Sequence, residues 1–164
     1  MSGSDKTESA FVKFSGILRY MYSQNESELI PAGNELDYIS QYVDLQKLRL
    51  NHHTKVSLIV NTSSSKILIP PMILITFVEN AFKYGTSSDT DCNIDIKINI
   101  DEDKILFESE NAVMKRPENN KSGIGISNCR KRLELLYPGK YKLENGETNG
   151  IYRIHLEIDI RKQI

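Results

Sequence analysis

At 164 residues the chain fits one domain of the usual size, about 100 to 200 residues, and 39% hydrophobic residues are enough to fill a core. Twenty-one Lys and Arg against 22 Asp and Glu leave a net charge of -1, so no basic excess exists to neutralise a run of phosphates, and no nucleic-acid partner is expected. The longest nearly apolar run, residues 67–78, is broken by Pro70, Pro71 and Thr76 and falls short of the roughly 18 residues of a bilayer span, so no membrane contact is expected. The polar start Met1-Ser2-Gly3-Ser4 has no apolar signal core, which makes the cytoplasm the expected compartment. Cys92 and Cys129 lack a CxxC or His neighbour, and both are expected to be free thiols.

Phe11, Phe14, Ile17, Leu18 and Met21 recur at helical spacing and predict an amphipathic helix over 8–24. Residues 25–33 are polar, with Pro31 and Gly33 as breakers. Asn34 is placed to cap a second helix over 34–51 that presents Leu36, Ile39, Val43 and Leu50. Alternation at Val56, Leu58 and Val60 predicts a strand over 54–61, followed by a short extended piece at 67–69. After Pro70 and Pro71 a third helix is expected over 72–84, with Ile75, Val78 and Phe82 on one side and Gly85 closing it. A hairpin over 93–100 and 104–108 comes next, then a polar loop over 112–122. A helix from Gly123 to Tyr137, stopped by Pro138-Gly139, precedes a last hairpin over 140–145 and 150–160 that turns at 147–150. This order predicts a two-layer α/β (α+β) sandwich with helices on one face of a mixed or antiparallel sheet.

Local structure does not demand the polar groups in two segments. In Phe77-Val78-Glu79-Asn80-Ala81-Phe82-Lys83-Tyr84-Gly85, Glu79 and Lys83 share a helix face and Asn80 is turned by about 100°. A plain i,i+4 ion pair between Glu79 and Lys83 is the simpler account, and a groove holding a polar ligand is the other. In Ser122-Gly123-Ile124-Gly125-Ile126-Ser127-Asn128, glycines stand at a helix start, where free backbone N–H groups and the dipole favour an anion.

Together, in this order and spacing, the two segments resemble the N box and G2 box of the ATP-binding domain of sensor histidine kinases, within the GHKL superfamily. The chain resembles more narrowly the cytoplasmic part of the LytS-type kinases. Leu18-Arg19-Tyr20-Met21, Ile30-Pro31, Glu35-Leu36 and Tyr42-Val43-Asp44-Leu45-Gln46-Lys47-Leu48-Arg49 match the region before the catalytic domain. Ile69-Pro70-Pro71-Met72 and Val78-Glu79-Asn80-Ala81 match the N box, and Gly123 to Asn128 with Arg132-Leu133 and Leu136-Tyr137-Pro138 match the G2 box. The resemblance implies a Bergerat-type ATP-binding fold, a mixed sheet covered on one face by helices and preceded by two N-terminal helices. It implies a helical linker and dimerisation region at 1–52 and an ATP-binding catalytic domain at 53–164. Asn80 would be the Mg2+ ligand, Glu79 the catalytic acid that polarises the incoming nucleophile, and Lys83 a phosphate contact. Gly123 and Gly125 would offer N–H groups to the phosphates, with Ser122, Asn128 and Arg130 beside them. The cofactors implied are ATP and Mg2+; the partners are a response regulator of the LytTR type and a second copy of the chain. The parent protein is expected to be a membrane-anchored sensor.

Two departures stand out. Where the family's G1 box has an aspartate for the adenine amino group, the chain reads Glu108-Ser109-Glu110-Asn111-Ala112-Val113. Asn111 is the matching position and Glu110 the alternative register. A charge-assisted bond of about 1.5 to 3 kcal/mol would become a neutral one near 1, so ATP is expected to bind weakly and Asn111→Asp to improve it. None of the three histidines, His52, His53 and His155, has the surroundings of a phosphoacceptor, and a catalytic fragment that does not phosphorylate itself is expected. The competing accounts are a nucleotide-poor pseudokinase or dimerisation module and an anti-sigma-type serine kinase.

Overall fold

A computed structural model describes residues 29–115 and 124–161; the first expected helix, over 8–24, lies outside them. Ten elements follow in order: β1 (Ile30–Pro31), α1 (Ala32–Lys47), β2 (Thr54–Thr62), β3 (Leu68–Ile69), α2 (Leu74–Gly85), β4 (Cys92–Ile100), β5 (Lys104–Ala112), α3 (Ile124–Leu136), β6 (Tyr141–Thr148) and β7 (Ile151–Asp159).

The five long strands form one sheet in the order β2-β4-β5-β7-β6, with β2 parallel to β4 and the other pairs antiparallel. The expected mixed sheet is present. Strict alternation fixes its two faces: Ile94, Ile96, Ile98, Ile105, Phe107, Ile154, Leu156 and Ile158 are buried, while Asp95, Lys97, Glu108, Glu110, Arg153 and His155 face the other way. Each fully buried Ile or Phe contributes about 1.5 to 3 kcal/mol. The buried face meets the helices, with Phe77 of α2 stacked 5.4 Å from Phe107 of β5. The last hairpin closes through Asn149 (φ 53) and Gly150 (φ 74), the pair of left-handed residues that a two-residue turn with the right twist requires.

Several boundaries differ from the sequence reading, and three of them have a visible physical cause. First, α1 starts at Ala32, so Gly33 is no breaker and Asn34 no cap. The helix start needs no capping side chain, because Ala32 N–H donates to Ile67 O at 2.6 Å and Gly33 N–H to Ser65 O at 2.9 Å. Second, α1 stops at Lys47, where Leu48 and Arg49 turn back onto Asp44 and Gln46 carbonyls. Third, β5 continues to Ala112, because Ser109, Asn111 and Ala112 remain paired in the ladders to β4 or β7. A small antiparallel pair, β1 with β3, ties the entry to α1 to the approach to α2. The core runs unbroken from Ile30 through α1 and α2 to Ile158.

Candidate functional site

The walls of the site are set by α2. Leu74, Ile75, Phe77, Val78, Ala81, Phe82 and Gly85 bury one side of this helix against the sheet and α1. That leaves Thr76, Asn80 and Tyr84, successive turns of one stripe, on its flank. A Cβ on Gly125 of α3 would lie 3.2 Å from Thr76 Cγ2, so the start of α3 touches α2 one turn before Asn80. At the far end, Met114 and Lys115 donate their N–H groups to Tyr84 O at 2.9 and 3.1 Å, and Lys115 Nζ reaches Thr86 Oγ1 at 3.4 Å. The stripe between these two contacts is about 12 Å long at about 1.5 Å per residue.

Against Gly85, at the end of this stripe, is Asn111, only 2% exposed. It points to the helix side of β5, whereas Glu110 points to the opposite face and pairs with Arg153 at 2.7 Å. Of the two candidates for the G1 aspartate position, Asn111 is thus the one on the helix side, beside α2. Its Nδ2 donates to Ala112 O at 2.9 Å, and among the described residues nothing donates to its Oδ1. Gly85 exists to admit it: a Cβ there would meet Asn111 Cβ at 2.8 Å and Nδ2 at 3.0 Å. A buried acceptor with no donor among the described residues, beside glycines at close approaches, suits a polar ligand with an amino group.

Gly125 lies inside the first turn of α3 rather than ahead of it, yet its N–H is still one of the four that a helix start leaves free. Asn128 is exposed on the next turn. Ser122 and Gly123 lie outside the described residues, as does most of the polar loop over 112–122. Arg130 turns away to Leu143 O and Asn145 Oδ1 of β6, so its guanidinium is committed to the sheet.

Glu79 and Lys83 do not form the simple ion pair. Lys83 Nζ sits 5.1 Å from the Tyr84 ring centroid, and no ion pair joins Lys83 to Glu79 among the described residues. Glu79 faces α1 instead. Its charge is felt by both Tyr38 and Tyr42, whose phenols are pushed up to about 12, first by burial and then by Glu79. Glu79 keeps an exposed side chain, yet the protein around it raises its pKa above the ordinary carboxylate range. Tyr42 also packs edge-on against Phe82 at 5.8 Å, which fixes α1 over this part of α2.

Sequence reasoning missed the group that holds the start of α2. Glu35 is 0% exposed, and its two oxygens accept N–H groups of Met72 (2.9 Å) and Ile75 (3.3 Å). The available signal was phase: an acid in register with Ala32, Ile39 and Val43, on the buried stripe of its helix. The histidines stand apart from the Thr76–Asn80–Tyr84 stripe. His53 Nδ1 is 2.7 Å from Asp91 Oδ1, a contact that lowers the Asp91 pKa, and His155 is 3.4 Å from Glu108 on the open face of the sheet. A concavity of about 460 Å3 on that open face is lined by Lys97, Glu108, Glu110 and Arg153 among others; of the candidate nucleotide-binding residues it holds only Glu110, the alternative register. No cluster of His, Cys, Asp and Glu that could hold a metal occurs among the described residues, so any Mg2+ here would rest on Asn80 and its ligand.

Comparison with known proteins shows what the chain is similar to. A family model described as "Histidine kinase" matches residues 1–54. The sensor histidine kinase BtsS of Escherichia coli is 27% identical over 140 residues, 84% of this chain. The sensor protein LytS of Enterococcus faecalis is 22% identical over 176 residues, 98% of this chain. The chain is thus similar over most of its length to sensor histidine kinases, LytS proteins among them. It spans 25% of the length of BtsS and 30% of that LytS. The fold agrees: the catalytic domain of the histidine kinase ThkA superposes with a TM-score of 0.56 at 15% identity, covering 80% of this chain and 95% of that domain. The histidine kinase domain of Erythrobacter litoralis EL346 gives 0.56 at 14% identity, over 94% and 79% of the two chains. Full-length ShkA, solved in complex with AMPPNP, gives 0.56 at 17% identity, over 94% of this chain and 36% of that one. Among the described residues no helix is long and apolar enough to cross a membrane.

Proposed function

We propose that this chain is the ATP-binding catalytic region of a two-component sensor histidine kinase, which transfers the ATP γ-phosphate to a histidine carried by a segment other than those bearing His52, His53 and His155. The observation that carries this reading is the Thr76–Asn80–Tyr84 stripe of α2, with the start of α3 against Thr76, Asn111 against Gly85, and no donor to Asn111 Oδ1 among the described residues.

Asn111 Oδ1 would accept from the adenine amino group. Asn80 would give its side-chain oxygen to Mg2+, a hard cation that as a rule keeps several waters and takes phosphate oxygens for the rest. When bound, Mg2+ would supply charge neutralisation for the triphosphate. Gly125 N–H, with Gly123, Ser122 and Asn128 near it, would receive phosphate oxygens at the positive end of α3. Glu79, turned toward α1 and raised in pKa, would accept the proton of the incoming imidazole at its carboxylate. Lys83 would serve as a point charge on the phosphates once it leaves Tyr84.

Residues 1–52 would then be linker and dimerisation region and 53–164 the nucleotide-binding part. This division concerns role; the core itself is shared from Ile30 on. We also assign to the whole protein a homodimer, a cytoplasmic kinase region, a membrane-anchored sensor and a LytTR-type response regulator.

Calorimetry with a non-hydrolysable ATP analogue tests the reading. Binding is expected only with Mg2+, and Asn80→Ala should remove that Mg2+ dependence without altering the melting temperature. Absence of binding at millimolar analogue would favour the pseudokinase account. Asn111→Asp is expected to tighten binding, and the structure adds a cost: the carboxylate loses the Ala112 O bond and is buried, a penalty of about 1 to 3 kcal/mol in the free protein.

A further inference from the structure

The start of α2 is gripped from two sides. From α1, the buried Glu35 holds the N–H groups of Met72 and Ile75, donors that a helix start leaves without an intrahelical partner. From α3, Arg132 Nη1 donates to Pro71 O, and Cys129 Sγ lies 4.0 Å from Ile73 O. Between them Met72 is kept at φ 63, a left-handed conformation that a non-glycine side chain rarely adopts unless its surroundings impose it. The two grips meet. Glu35 holds Met72 and Ile75 while Arg132 and Cys129 reach Pro71 and Ile73, so the two grips close on the same five residues, 71–75, and form one junction among three helices.

This junction adjoins the Thr76–Asn80–Tyr84 stripe of α2. Thr76 Oγ1 donates to Met72 O at 2.9 Å while its methyl group meets Gly125, the first turn of α3. Upstream, the same α1 is stapled to the chain that leads into α2: β1 pairs with β3, and Ala32 and Gly33 donate to Ile67 and Ser65 carbonyls. A displacement of the chain where it enters at Ile30 must therefore move residues 65–75, and with them the start of α2 and its contact with α3.

We propose that Glu35 is a positioning residue. Its carboxyl group fixes the start of α2 against α3, so the position of α1 sets the relation between the Asn80 wall and the Gly125 wall of the groove. A shift of α1 is thereby read out as a change in nucleotide affinity. The affinity part rests on the groove being the Mg-ATP site; the coupling of the three helices does not. A cap alone would stabilise α2 and leave the affinity of the folded protein unchanged. The junction requires more, because both of its arms end on the walls.

Glu35→Gln keeps the size and turns one acceptor oxygen into an NH2 that faces an N–H. Two measurements on the full chain decide the matter. Without nucleotide, amide hydrogen exchange is expected to quicken at 73–80 and at 124–129 together, with β4 and β5 unchanged. In titrations with Mg2+ and the ATP analogue, affinity is expected to fall about tenfold, inside the usual range of coupling between sites. Ile39→Val, which trims the core beneath the same helix, should leave affinity unchanged. Arg132→Lys grips from the other side and keeps one donor; it should give the same exchange pattern more weakly and combine non-additively with Glu35→Gln. Should Glu35→Gln fail to fold, Arg132→Lys carries the test. Exchange that rises in α1 alone or evenly over the domain overturns the proposal, as does an equal loss of affinity in Ile39→Val. If the wild-type chain takes no Mg-ATP, the groove assignment falls and the exchange pattern alone decides the coupling.

Discussion

The two helices that meet at Thr76 and Gly125 are held very differently. In α2, seven of twelve residues are buried, from Leu74 to Gly85, and the helix sits on the centre of the sheet. In α3 only Cys129 and Leu133 of thirteen residues are buried, while Ile124 is 59% and Leu135 83% exposed. Ile126 packs partly buried against the core and Gly125 meets the Thr76 methyl group; polar ties add Arg130 to Leu143 O, Arg132 to Pro71 O and Cys129 to Ile73 O. Elements with few buried apolar contacts open at lower free energy than the core. The side expected to position metal and nucleophile is thus the fixed wall, and the side expected to receive phosphates is the lightly held one.

Truncating each wall at its deepest residue is the harshest way to break this contrast. Phe77→Ala removes a ring stacked on Phe107 and is expected to cost about 3 to 5 kcal/mol, enough to unfold much of a marginal domain in a denaturant titration. Leu133→Ala should cost about 2 kcal/mol, near the low end for a buried leucine. Its loss should appear as fast amide exchange confined to α3. Equal, global destabilisation by both would show that α3 is no less anchored than α2.

How far the sequence revealed these walls follows from what holds each one. The buried side of α2 repeats at helical spacing, and the expected helix over 72–84 differs from Leu74–Gly85 only at its ends. The sheet was equally visible, because Ile94, Ile96, Ile98 and Ile100 alternate without exception. β1 was not visible: a two-residue strand whose partner lies 37 or more residues away leaves no periodic trace. The grip of Glu35 was hidden for the same reason, since an acid in the first turn of a helix is normally explained by the dipole. Asn111 was found by motif alone; that Gly85 makes room for it is a distance between α2 and β5 that no spacing encodes.

That close approach gives an intermediate test. Gly85→Ala places a methyl group against Asn111 in the middle of a paired strand that cannot withdraw, with an expected cost of about 1 to 3 kcal/mol. Asn111→Gly should return part of that stability in the double variant, because the nearest contact is with Asn111 Cβ, which alanine would keep. Additive losses would mean that Gly85 is required for some other reason.

The smallest effect, and the one most specific to function, concerns Glu79. Its folded-state pKa is raised by burial, so the folded protein holds the proton more tightly than the unfolded chain does. Stability attributable to this residue therefore falls as pH rises through the ordinary glutamate value, about 4.3, toward the raised one. The ionised carboxylate is a mild liability at neutral pH, screened because the group is open to water. Glu79→Gln should be at least as stable as the wild type at pH 7, and the two should converge below about pH 4. The same change removes a charge that raises Tyr38 and Tyr42, so their alkaline absorbance titration should move down from about 12. A residue whose removal leaves the fold equally stable yet abolishes phosphotransfer in the complete kinase is retained for its chemistry. Loss of stability in Glu79→Gln at pH 7 would instead make Glu79 a strut between α1 and α2.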